Sequence, residues 1–100
     1  MRRDKCVYVY RDENGTIFYV GQGSMIRAHE TTLRSEEFKQ KLITYEETTG
    51  EVCYPEIVIK GLTPEQALCI ERFLIANFNE SELVNKKPGR PAGADGAEFI

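Results

Sequence analysis

Two short runs near the N-terminus carry the pattern of β-strands. Lys5-Cys-Val-Tyr-Val-Tyr-Arg11 and Thr16-Ile-Phe-Tyr-Val-Gly21 are rich in β-branched and aromatic residues. Asp12-Glu13-Asn14-Gly15 lies between them, and Asn-Gly is a strong hairpin signal. A two-residue turn and a four-residue loop give registers of the same parity. Both therefore predict Tyr8, Tyr10, Ile17 and Tyr19 on one face, with Val7, Val9, Phe18 and Val20 on the other. The second set is wholly apolar and is the expected core side. The tyrosine face needs a different explanation.

Gly21-Gln-Gly23 ends the second strand with two glycines, which permits a tight backbone path. A short helical stretch is expected next, with Met25, Ile26 and Leu33 as its apolar points. Ser35 suits an N-cap ahead of Glu36 and Glu37. Phe38, Leu42 and Tyr45 recur at helical spacing, so a helix is predicted over 36–47, ending near Gly50. Residues 52–60 read as a third strand, with Pro55 marking an edge or a bulge at its start. The clearest helix is 63–78: Thr63 caps it, Pro64 takes its first position, and Gln66 completes a capping box. The order β-β-α-α-β-α predicts an α+β fold, a small three-stranded central sheet flanked by helices. One domain is expected over residues 1–89, followed by a flexible Gly/Pro/Ala-rich tail over 90–100.

The last helix holds a residue out of place. With Ala67 at the origin and 100° per residue, Leu68, Ile70, Leu74, Ile75 and Phe78 define an apolar arc, and Glu71 falls in the middle of it at about 40°. An isolated carboxylate there costs several kcal/mol unless it is paired, protonated or metal-bound. An internal salt bridge is the bland explanation. A divalent cation, bound through carboxylate oxygen, is the sharper one.

Composition narrows the remaining classes. The chain has 100 residues, 41% hydrophobic and 29% charged, as an ordinary globular domain does. No apolar run has the length of a membrane span, and the N-terminus MRRDKCVYVY has no apolar leader stretch. Cys6, Cys53 and Cys69 are odd in number, widely spaced and without a CxxC, so neither disulfides nor zinc is expected and a reducing, cytoplasmic setting is. The net charge of −3 excludes a uniformly basic nucleic-acid-binding surface. That excess lies in residues 30–51; elsewhere charges balance, and Lys86, Lys87 and Arg90 form a local basic cluster. The sequence contains neither a Gly-x-Ser-x-Gly nucleophile motif nor a Gly-x-x-x-x-Gly-Lys phosphate loop.

Together these residues resemble the GIY-YIG nuclease superfamily. Val7-Tyr8 and Tyr19-Val20-Gly21 are similar to its two signature motifs, followed in order by Arg27, by Glu71 in a C-terminal helix, and by Asn85. Phe18-Tyr-Val-Gly-Gln-Gly23, Arg27-Ala28-His29 and Leu62-Thr-Pro-Glu-Gln-Ala67 look most like the small, free-standing branch with FYVG-type motifs. The resemblance spans about residues 5–89. Cys6 stands where the signature has glycine, Val7 and Val20 replace isoleucines, and Gln22 replaces a frequent lysine.

The resemblance implies a metal-dependent endonuclease that hydrolyses phosphodiester bonds of DNA, by nicking or by cutting branched structures, and it leaves RNA open as a substrate. It assigns Glu71 as the protein ligand of Mg²⁺ or Mn²⁺ and Arg27 as the phosphate clamp. Tyr8 would activate water, which requires Arg27 and the cation to lower its pKa. Tyr19 would bind phosphate or orient the water, His29 would donate or relay a proton, and Asn85 would fix the site by hydrogen bonds. The chain lacks a separate sequence-reading element, so specificity is expected from a homo-oligomer, a partner protein or nucleic-acid shape. Small domains of this kind suit a phage or mobile element. The alternative is a catalytically idle module that keeps the fold and binds nucleic acid or protein.

Overall fold

Five consecutive residues of the first strand, Cys6 to Tyr10, are buried, which places that strand at the centre of the fold. The computed structural model describes residues 2–78 and 83–84. Its elements are β1 (Lys5–Arg11), β2 (Ile17–Gly23), α1 (Met25–His29), α2 (Glu36–Thr49), β3 (Glu56–Leu62) and α3 (Pro64–Asn77). The sheet is antiparallel throughout, in the order β2-β1-β3. The fold is α+β with a three-stranded sheet, as the sequence predicts.

The β1–β2 connection is neither of the two expected loops. Asp12 organises it: its carbonyl accepts from Gly15 N, and its carboxylate accepts from Asn14 N and Thr16 N at 2.9 and 3.0 Å. Asp12 N returns a bond to the Thr16 carbonyl, and Gly15 takes φ +84°, the left-handed conformation that suits glycine. Further along, Tyr10 pairs with Tyr19 but Arg11 pairs with Ile17, so Phe18 is an extra residue in β2. This β-bulge corrects the predicted faces. Phe18 joins Cys6, Tyr8, Tyr10, Ala28 and Phe38 in one cluster, and Ile17 moves to the cluster of Val7, Val9, Val20, Leu62 and Ala67. An unbroken pleat would have put each on the opposite side.

Both sheet faces are covered, so the valine face is not the sole core. On the tyrosine side, Phe38 of α2 packs edge-on to Tyr10 and Tyr19, with ring centroids 4.9 and 5.0 Å apart. On the valine side, Ile70, Leu74 and Ile75 of α3 join Phe78 against the strands. Residues 83–84 close the β2 edge: Val84 N donates to the Phe18 carbonyl at 2.7 Å, while Leu83 and Val84 enter opposite clusters.

Local signals account for the helices. Thr63 accepts from Gln66 N, the Gln66 side chain answers to Thr63 N, and Pro64 begins α3. Ser35 caps α2 through Phe38 N, and Gly50 ends it at φ +78°. The helix runs two residues past the expected Glu47. The third strand starts and ends later than expected and follows two shifts of register against β1, with Val58 and Gly61 as the extra residues. The region of α1 differs most from expectation. Its helix is five residues long and buries Ala28, whereas Ile26 and Leu33 are 85% and 82% exposed. The segment from Asn79 to Ser81, Glu82, and everything from Asn85 onward, including the predicted tail and the Lys86–Arg90 cluster, lie outside the described residues.

Candidate functional site

The pairing register brings the tyrosines together. Tyr8 and Tyr19 stack at a centroid separation of 6.3 Å on the face that also carries Tyr10. Tyr8 is paired with Gly21, and its ring lies flat across that residue. A β-carbon built at Gly21 would sit 2.5 Å from Tyr8 Oη, so any side chain there displaces the tyrosine. Position 21 therefore requires glycine. Gly23, at φ +143°, gives similar room to Arg27, whose Cγ lies 3.2 Å from where a β-carbon would be.

Arg27 and Glu71 complete the constellation. The charge of each acts on both Tyr8 and Tyr19, and Arg27 acts on Glu71 in turn. Glu71 is part-buried on α3, within the arc that faces the sheet. Burial pushes its carboxyl up to about 7, against the smaller opposing pull of Arg72 and Arg27. Among the described residues it forms neither a hydrogen bond nor an ion pair. The internal salt bridge that would explain this residue blandly is therefore not made among them.

Both tyrosines depart from the expected electrostatics. Burial raises the pKa of Tyr8 above the ordinary tyrosine value, outweighing Arg34 and then Arg27, which lower it. Tyr19 follows the same balance of burial against Arg34. Tyr10, pushed up to about 12 by burial, donates its hydroxyl to the Ala28 carbonyl at 2.6 Å and anchors α1. The lowered pKa needed for Tyr8 to act as a base at rest is absent.

Of the six predicted site residues, Tyr8 and Tyr19 stack on each other, and Arg27 and Glu71 lie within electrostatic range of both. His29 is not part of this group. It lies two positions, about 200°, around the helix from Arg27. It is exposed beside Met25, Ile26 and Glu30, with Nδ1 3.1 Å from the Met25 carbonyl. Asn85 lies outside the described residues.

Sequence reasoning missed Arg34. It comes from the turn between α1 and α2, where Glu30 Oε2 accepts from Thr32 Oγ1 at 2.6 Å and Leu33 N at 2.8 Å. These bonds hold the Glu30 carboxyl below the usual range and order the turn. The Arg34 side chain is 6% exposed and reaches Tyr8 Oη at 2.9 Å and Tyr19 Oη at 2.8 Å. Its position in an acidic segment, outside any periodic pattern, gave no signal. Compared with models of known protein families, with curated proteins and with solved structures, the chain matches none.

Proposed function

We propose that this chain is a GIY-YIG-type endonuclease that hydrolyses phosphodiester bonds of DNA with one divalent cation, Mg²⁺ or Mn²⁺. One observation carries the reading. Glu71, a carboxylate in an apolar helical arc without an ionic partner among the described residues, lies within electrostatic range of Arg27 and of Tyr8 and Tyr19. The donor set fits a hard cation. Among the described residues no group of three His, Cys, Asp or Glu forms an all-protein cage, and Mg²⁺ typically takes one or two carboxylates and keeps several waters. Glu71 is the residue that would hold it. When bound, the ion supplies Lewis-acid charge at the scissile phosphate.

The chain's own residues do the rest. Arg27 offers a fork of N–H donors that matches two phosphate oxygens. Tyr8 and Tyr19 are protonated at neutral pH, so in the resting site they donate hydrogen bonds to a phosphate or orient an attacking water. Tyr8 Oη becomes a proton acceptor only when added positive charge outweighs its desolvation. Arg72 of α3 is exposed beside Glu71 and extends the positive charge available to a nucleic-acid backbone. With one such site a monomer nicks; a dimer cuts both strands.

The test is incubation of the purified chain with supercoiled and branched DNA, with and without Mg²⁺ or Mn²⁺. Metal-dependent nicking by the wild type, reduced on the order of 100-fold or more in Glu71→Gln, is the expected result. Full metal-dependent cleavage by Glu71→Gln removes Glu71 from the role. Salt-sensitive DNA binding without cleavage by the wild type leaves the idle binding module instead.

A further inference from the structure

Arg34 donates to four acceptors. Nη1 reaches Tyr19 Oη at 2.8 Å, Nη2 reaches Tyr8 Oη and the Arg27 carbonyl at 2.9 Å each, and Nε reaches the Glu30 carbonyl at 2.8 Å. Its guanidinium carbon also lies 5.0 Å from the Tyr19 ring centroid and 5.5 Å from that of Phe38. Two of these contacts tie the end of α1 in place. The other two fall on the hydroxyls of the candidate site.

We infer that Arg34 is a positioning residue for this site: it fixes the phenolic oxygens of Tyr8 and Tyr19 as acceptors on its own side, turns both O–H protons away from itself, and holds a permanent cation beside them. A phenol has one proton, so an oxygen already accepting from a guanidinium N–H must direct that proton elsewhere. Arginine stays charged under all ordinary conditions, and its rigid fork spans two oxygens at once. The groups bearing on Tyr8 are Arg34, Arg27 and Glu71; those bearing on Tyr19 are Arg34, Tyr8, Glu71 and Arg27. Arg34 is the strongest opponent of burial at both tyrosines. Through the Arg27 carbonyl the same side chain sets the turn of α1 that carries the proposed phosphate clamp, so one residue aligns three members of the site. A tether for α1 alone would need the two carbonyls and neither phenol.

The catalytic consequence rests on the nuclease reading; the orientation of the phenols does not. The experiment uses the full chain with ¹³Cζ-labelled tyrosine, as wild type, Arg34→Lys and Arg34→Met. The midpoints of Tyr8 and Tyr19 are followed by NMR across alkaline pH, with exposed Tyr54 as the control. In Arg34→Met both site midpoints should rise by about one unit or more, since an opposite charge in contact is worth that much, while Tyr54 does not move. In Arg34→Lys, which keeps the charge without the fork, at least one should rise. Cleavage by Arg34→Met should lose roughly tenfold or more in kcat, with KM changed by less than about threefold. If Arg34→Met does not fold, Arg34→Lys carries the test. A folded variant with both midpoints unchanged overturns the proposal. A wild type that does not cleave, in a chain whose midpoints shift as expected, overturns the nuclease reading and leaves the positioning role standing.

Discussion

The two faces of the sheet solve the burial problem in different ways. The valine face is dry chemistry: Val7, Val9 and Val20 meet Ala67, Ile70 and Leu74 of α3, and shape alone decides the fit. The tyrosine face holds one buried and two part-buried hydroxyls, which would be costly without partners. Each has one. Tyr10 donates to the Ala28 carbonyl, and Tyr8 and Tyr19 accept from Arg34. The valine face can be satisfied by any residues of suitable volume, whereas the tyrosine face requires specified partners at specified distances. Glu71 breaks the division, since it belongs to the helix of the dry face yet its charge bears on the tyrosines of the wet one.

Truncation at the seam of the aromatic face should have the largest effect. Phe38 packs against the rings of Tyr10, Phe18 and Tyr19 and lies under the Arg34 guanidinium. Phe38→Ala should cost about 3–5 kcal/mol, read by urea denaturation. A loss no larger than that of a surface substitution would mean that α2 contributes little to this face.

Acidity should produce the next largest effect. The folded chain holds the Glu71 proton up to about pH 7, and the unfolded chain releases it near the ordinary glutamate value of 4.5. The carboxyl costs nothing below that lower pH. Its penalty grows as the pH rises between the two values and is constant above the upper one. Integrated over the window this is on the order of 3 kcal/mol. Glu71→Gln should therefore melt higher than the wild type at pH 8 and level with it at pH 4, by paired thermal scans. A lower melting temperature at pH 8 would reveal a favourable partner for the carboxylate.

A smaller effect sharpens the polar half of the comparison. Tyr10→Phe keeps the ring and removes the hydroxyl, which leaves the Ala28 carbonyl with one bond fewer. Stability should fall by about 1–2 kcal/mol, measured by denaturant midpoint at constant slope. Equal stability would show that water replaces the hydroxyl and that α1 needs no such anchor.

Most of the scaffold was legible because its signals are local. Thr63, Pro64 and Gln66 announce α3, Ser35 and Gly50 bracket α2, and the helical wheel finds Glu71 inside the buried arc. What escaped depends on features that carry no period. The extra residue at Phe18 reverses two side chains, yet nothing in Thr-Ile-Phe-Tyr distinguishes a bulge from a regular strand. Arg34 acquires its place from a turn built by Glu30, and only the folded turn aims it at the tyrosines. The short α1 was overextended for the opposite reason, because the exposed Ile26 and Leu33 imitate a core pattern.

The irregularities of β3 bear on how the chain behaves in a crowd. This strand ends the sheet and shows Val58 and Ile59 at 51% and 42% exposure, a sequence that a regular edge would offer as a template for growth by stacking. Its ladder with β1 is interrupted at Val58 and again at Gly61, whose φ of +75° bends the backbone. Lys60 adds a charge between the interruptions. An incoming strand meets a twisted, charged margin with no long run in register, so the defects in the sheet act as a guard against fibril formation.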